Sequence, residues 1–213
     1  MSSPREQILE MVASGKLTAA EGDQLLASIG QPRPSVWRWM FDPLSCLRTR
    51  MALAVSAAFA AVSLGLTRLG LRFDGALDVH ANAGVLSWPV ALAEVALVWP
   101  VTAAVFWAVA RLLGRRTARW VDVLGAVGLA RVPLVLSGVV VAVLAPAESP
   151  RELSPQVIAL AILSLPLIGW SIAALVLGFR TATGLKGARW VSGFLVALIV
   201  AEVLSKVVLY RLG

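Results

Sequence analysis

Five long apolar runs, near residues 51–67, 88–112, 121–145, 156–178 and 190–210, constrain this chain more than any other feature. A hydrocarbon core of about 30 Å takes ~20 helical residues to cross, and each run is long enough or nearly so. The first is short and extends by snorkelling of Arg50 and Arg68. Pro100, Pro133 and Pro166 fall inside the second, third and fourth runs, where kinks are tolerated if neighbouring helices satisfy the freed carbonyls. Of 213 residues, 59% are hydrophobic and 15% charged, against about 25% charged in soluble domains. A soluble core cannot absorb that excess, so the apolar residues face lipid. The expected fold is an all-α integral membrane protein, a five-helix transmembrane bundle preceded by a small cytoplasmic helical hairpin. Residues 1–34 form the hairpin and linker, and residues 35–213 form the membrane domain.

The formal charge of +7 suggests nucleic acid until the charges are located. They lie between the apolar runs, which is the signature of membrane orientation with some attraction to anionic headgroups. Nucleic-acid binding is not expected. Arg5, Lys16, Arg33, Arg38, Arg48 and Arg50 precede the first run. Arg111, Arg115, Arg116 and Arg119 follow the second, and Arg180, Lys186 and Arg189 follow the fourth. The opposite side carries Arg68, Arg72, Arg151 and Arg211 beside Asp74, Asp78, Glu148 and Glu152. The positive-inside rule places the N-terminus in the cytoplasm and the C-terminus outside. Trp88, Trp120 and Trp190 fall at the resulting interfaces. Trp37, Trp39, Met40, Phe41, Leu44 and Leu47, mixed with Arg38 and Arg48, suit the inner headgroup layer. No basic n-region with an apolar h-region opens the chain, so no cleavable signal is expected.

The first 34 residues read as two short helices. Ser3-Pro4-Arg5-Glu6 combines a capping box with proline at the first helical position. Ile8, Leu9, Met11 and Val12 follow as an apolar stripe, and Gly15 offers a stop. Thr18-Ala19-Ala20-Glu21 is a second capping box, opening a helix with Leu25, Leu26 and Ile29 that Gly30 closes. Gln31-Pro32-Arg33-Pro34 makes the linker. Two helices this short bury too little to stand alone, so Ile8, Leu9, Met11, Val12, Leu25, Leu26 and Ile29 are the candidate partner-binding or self-association surface. A plain solvated cap is the alternative. From Ile8 to Leu26 the pattern resembles the SHOCT-like hairpins at the ends of many bacterial membrane proteins, which implies oligomerisation or regulation rather than chemistry.

Four ionisable residues sit inside the runs: Glu94, Arg131, Glu202 and Lys206. Each costs at least about 2.5–3.5 kcal/mol at mid-bilayer if unpaired, so each must face protein or water. At 1.5 Å per residue, Arg131 and Glu202 lie about 15–18 Å from the inner edge, and Glu94 and Lys206 at roughly 25 Å. Pairs Arg131–Glu202 and Glu94–Lys206 are therefore expected, and Glu202 and Lys206 are also spaced i,i+4. This charge cluster either lines a polar pathway or fixes the packing of the second, third and fifth spans. The second reading is preferred, because broken helices in repeated halves are missing. Asp122 reads as charge compensation at a helix N-terminus. His80, with Asp74 and Asp78, is expected in a solvated outer loop, although such a group could bind a cation weakly.

Cys46 is the single cysteine and His80 the single histidine, so neither an intrachain disulfide nor a Cys/His metal site is expected. The nucleophile elbow, H-E-x-x-H, Walker and G-x-G-x-x-G patterns are missing. No catalytic residue, metal or cofactor is assigned.

Trp120-Val121-Asp122-Val123-Leu124-Gly125-Ala126-Val127-Gly128-Leu129-Ala130-Arg131-Val132-Pro133 is similar to a segment of the Yip (Ypt-interacting protein) family, in which a central helix opens after a basic loop and the segment ends in proline. Ile168-Gly169-Trp170-Ser171 through Leu177-Gly178-Phe179 resembles that family's next span, and Arg131 stands where tyrosine is commoner. The resemblance covers about residues 50–213. It implies a non-enzymatic, five-span membrane protein with N-in, C-out topology. Eukaryotic members bind Rab-type GTPases, but the SHOCT-like hairpin points to a bacterial source and removes that reading. The expected function is a scaffold or regulatory factor of the bacterial cytoplasmic membrane, recruiting partners through the hairpin and basic loops. The alternative is a transporter or lipid-handling protein using the intramembrane charges.

Overall fold

The computed structural model describes residues 4–29, 35–81, 87–144 and 155–212. Ser3 of the first capping box, Gly30, the 31–34 linker, Glu148, Arg151 and Glu152 lie outside the described residues. The chain divides into two compact units, Met1–Ser35 and Val36–Gly213.

The first unit is a hairpin of α1, Pro4–Ala13, and α2, Ala19–Ile29. Gly15 ends α1 with φ +74°, a left-handed conformation that glycine takes without steric cost. The Gly15 and Lys16 amides bond back to the Val12 and Met11 carbonyls at 3.1 and 2.9 Å. The Thr18 capping box forms as read. The Thr18 amide and hydroxyl donate to Glu21 Oε2 at 2.9 and 2.7 Å, and the Glu21 amide donates to Thr18 Oγ1 at 3.3 Å. These bonds hold the Glu21 carboxyl below its ordinary range, the backbone amide contributing most. A depressed carboxylate contributes stability above its unfolded value and loses it as pH falls through the folded one. Glu21→Gln is accordingly expected to raise amide exchange across residues 18–22 at neutral pH, with α1 less affected, and acidification below the depressed value to do the same in the unaltered chain.

The second unit opens with α3, Val36–Phe41, and a single 3-10 turn, Pro43–Ser45. Five segments long and apolar enough to cross a membrane follow. They are α4, Thr49–Thr67; α5, Trp88–Leu112; α6 with α7, Trp120–Ala130 and Val132–Leu144; α8, Pro155–Thr183; and α9, Gly187–Leu212. Residues Leu71–Arg72 and His80–Ala81 form a two-stranded antiparallel ribbon, β1 and β2, with Leu71 opposite Ala81 and Arg72 opposite His80.

The three prolines do not behave alike. Helices α5 and α8 run unbroken through Pro100 and Pro166, whereas the third span breaks at Arg131, two residues before Pro133. Proline has no amide to donate and crowds the carbonyl four residues back, here that of Leu129. The neighbouring Ala130 carbonyl accepts the Ser171 hydroxyl from α8 at 2.5 Å, as a broken membrane helix requires.

The main core lies among α5, α6, α8 and α9. Phe106 meets Phe179 and Phe194 edge-on, with ring centroids 5.2 and 5.8 Å apart. Ala103 and Ala110 on α5 and Ala197 and Ala201 on α9 are fully buried; such small side chains let helix backbones approach closely. Trp99 and Trp107 turn their indole N–H groups to the Leu124 and Ala118 carbonyls, at 2.8 and 3.0 Å. A second cluster joins Leu66, Leu71, Phe73 and Val135, and it brings the α4–α5 loop into the bundle.

Candidate functional site

In the loop from Leu69 to Ala81, the stretch 71–76 is drawn into the bundle, while Leu69 and His80 stay exposed. Leu71, Phe73 and Ala76 are buried, so the expectation of a solvated loop is corrected for that stretch, whereas His80 is exposed and Asp74 and Asp78 are partly exposed. The reason is its apolar content: Leu71 and Phe73 pack on Leu66 and Val135, and Leu77 packs against the main core. Entering the bundle deprives the tip of water, so each backbone N–H and C=O there needs a protein partner.

The four charged residues singled out above provide those partners. Glu94, fully buried, accepts the Phe73 amide on Oε1 and the Arg72 guanidinium on Oε2, whose Nη2 lies 3.0 Å away. Arg131 donates Nη1 to the Gly75 carbonyl at 2.9 Å and Nη2 to the Phe73 carbonyl at 3.3 Å. Glu202 accepts the Ala76 amide at 2.9 Å. Lys206 reaches Asp78 at 3.0 Å and Glu202, one turn away on α9, at 3.5 Å. The expected cross-span pairs are therefore replaced. Glu94 pairs with Arg72 rather than Lys206, and Arg131 engages loop carbonyls rather than the Glu202 carboxylate. All four residues converge on one segment, Arg72–Asp78, which they clasp from α5, the α6–α7 break and α9.

Gly75 is what lets the tip come so close. A Cβ there would run into the Glu202 carboxylate and lie 2.8 Å from Asp78 Cβ. Gly75→Ala is therefore expected to destabilise the membrane domain by about 1–3 kcal/mol, read as a lower melting temperature in detergent micelles. Gly65→Ala is the matched control. Nothing lies within 4 Å of its added methyl, and in a helix alanine is favoured by about 0.5–1 kcal/mol.

His80, Asp74 and Asp78 also come together, with potential ligand atoms all within 4.8 Å of one another. Asp78 has its cation from within the chain, the Lys206 ammonium. Burial pushes the Asp78 carboxyl up, but the hydrogen bonds and positive charge of Lys206 and His80 outweigh it and hold it below the usual carboxylate value.

Toward the other end of the bundle, Asp122 lies in the first turn of α6. It accepts the Thr49 hydroxyl at 2.7 Å and sits 3.8 Å from Arg119, joining the starts of α4 and α6. Asp42 accepts the Thr181 hydroxyl at 2.8 Å, and Trp170 donates to the Met40 carbonyl at 2.6 Å, fastening α3 along α8. Two tryptophans carry arginines over their faces: Arg68 on Trp88 at 4.7 Å and Arg180 on Trp190 at 5.2 Å.

In the hairpin unit, Ile8 is buried between the helices, while Leu9 and Leu25 are half exposed. Met11, Val12 and Leu26 are intermediate. Ile29 ends α2. Gly22 admits the close contact of Val12 across the pair.

Arg72, Phe73 and Gly75 were not among the sequence candidates. Their signal was the alternation of apolar and charged residues from Leu71 to Val79, unusual for a solvated connection.

Neither a curated protein nor a solved structure matches the chain. A SHOCT-like domain model matches residues 3–33. The Yip1 domain model matches residues 33–208, the whole membrane unit but its last few residues. That match covers most of the chain, which has five helices long and apolar enough to cross a membrane, so the chain belongs to the Yip1 domain family, a family of integral membrane proteins.

Proposed function

We propose that this protein is a non-enzymatic scaffold or regulatory factor of the bacterial cytoplasmic membrane. Its N-terminus and basic loops face the cytoplasm, and it recruits a protein partner, or a second copy, through the hairpin. The observation that carries this reading is the clasp. Glu94, Arg131, Glu202 and Lys206 are engaged in holding loop backbone and loop side chains, work that belongs to architecture rather than to a translocation path. The half-exposed Leu9 and Leu25 of the hairpin supply apolar surface for recruitment. The clustering of arginine after the second and fourth spans supports the orientation.

The test compares two variants of the full chain by proximity labelling in cells. Deleting residues 1–34 is expected to abolish the labelled partner set while membrane insertion persists. Neutralising Glu202 with Gln is expected to lower stability and leave the partner set intact in the molecules that fold. The opposite pattern, partners unchanged by the deletion and a solute flux abolished by Glu202→Gln in a folded protein, would establish the transporter or lipid-handling alternative.

A further inference from the structure

Arg131 makes two hydrogen bonds to the loop, one from each terminal nitrogen, yet a guanidinium carries five N–H donors. Among the described residues no protein acceptor takes the others. Its nitrogens are also not among the buried polar atoms lacking a partner, and the residue keeps some accessible surface. That surface borders a cavity of about 20 Å³ between α4, α5 and the broken third span, lined by Ser56, Ser63, Trp99, Gly128 and Arg131 among others. The geometry points to this cavity as a site for structural water, bound by the remaining Arg131 N–H groups and by the Ser56 and Ser63 hydroxyls.

Three observations select water over other occupants. The volume exceeds the roughly 10–15 Å³ that one water needs and is far below the room for a headgroup. The polar wall offers both donors and acceptors. Ser56 and Ser63, seven residues apart on one face of α4, give their own protons to the Ala52 and Phe59 carbonyls at 2.7 and 2.9 Å. Their oxygens are thereby left to accept, while Arg131 donates. An anion is disfavoured, because the carboxylates of Glu94, Glu202 and Asp74 already act on the Arg131 charge. Trp99 commits its N–H to Leu124, and Phe59, Ala60, Val95 and Val135 line the rest of the site with apolar surface. A partly satisfied cation in the middle of a span thus gains acceptors without a second protein charge.

The direct test is NMR of the 15N-arginine-labelled full chain in lipid nanodiscs with perdeuterated acyl chains. The Arg131 Nε–H signal is assigned by its loss in Arg131→Lys. The inference expects a cross-peak from this proton to water, weakened in Ser63→Ala. Cross-peaks to residual acyl or glycerol protons in place of water, or to protein methyls alone, would overturn it.

Melting temperature gives an independent reading. A back-bonded serine slightly weakens its helix, so in a dry cavity Ser56→Ala and Ser63→Ala raise the melting temperature or leave it unchanged. With water bound, both lower it, by a few degrees each. A melting temperature raised or unchanged in both variants would overturn the site even if the NMR signal were broadened.

Discussion

Arg131→Leu is expected to destabilise the membrane domain by about 3–5 kcal/mol, the largest single effect in this protein. The substitution removes the only donors that the Phe73 and Gly75 carbonyls have from a side chain among the described residues. It also strips the positive charge from the neighbourhood of Glu94, Glu202 and Asp74. Leucine fits an apolar bundle well, so a purely steric account would predict a mild change. Arg131→Lys keeps the charge but presents a compact ammonium where a planar fork spans two carbonyls, so it should recover part of the loss. Thermal or denaturant unfolding in micelles ranks the three forms: unaltered chain, then lysine, then leucine. Equal stability of leucine and lysine would mean that charge and carbonyl bonding contribute little.

The second large effect is expected at Glu94. Glu94→Gln preserves shape and can still accept the Phe73 amide, but its amide nitrogen then confronts the Arg72 guanidinium, donor against donor. One carboxylate is lost from a buried site while Arg72 keeps its charge. Arg72 is 25% exposed, so solvent relieves part of the penalty, and the expected cost is about 2–3 kcal/mol. Arg72→Met alone leaves the fully buried Glu94 carboxylate short of a cation and should also be destabilising. Combining the two changes should cost less than their sum, because each removes the other's unpaired charge. Strict additivity would show that the 3.0 Å contact carries no coupling.

The membrane-crossing segments were legible because hydropathy over twenty residues is a local property. The Thr18 cap and the Gly15 stop were legible for the same reason, since their partners lie within a turn or two. Glu94, Arg131, Glu202 and Lys206 stood out in the sequence as residues needing partners, because the cost of a lone charge in hydrocarbon does not depend on the fold. Their partners were not legible. Counting depth along ideal helices assumes that loops stay outside the membrane, and it admits side chains of other spans as the sole candidates. The structure adds a second class, backbone groups of a loop drawn into the bundle, and joins residues as distant in sequence as Ala76 and Glu202. Pro133 shows the same limit. It is chemically the same residue as Pro100 and Pro166, and what distinguishes it is a context of neighbours, with Ser171 capping the Ala130 carbonyl beside it.

Family membership agrees with this division. The Yip1 domain match runs through the membrane unit, and the SHOCT-like match covers the hairpin. The clasp is a statement about how this chain's own charges are used: it ties the loop to one end of the membrane unit, while the hairpin is the recruiting element of the proposed scaffold.

Its most direct test is cysteine accessibility. In a Cys46→Ser background, Ala76→Cys places a thiol at a position 3% exposed, and Leu69→Cys places one at a position 67% exposed. A membrane-impermeant maleimide is supplied to both faces of the membrane. The account predicts rapid labelling at 69, protection at 76, and loss of that protection when Arg131→Leu is added. Labelling at 76 as fast as at 69 in the otherwise unaltered chain would contradict it.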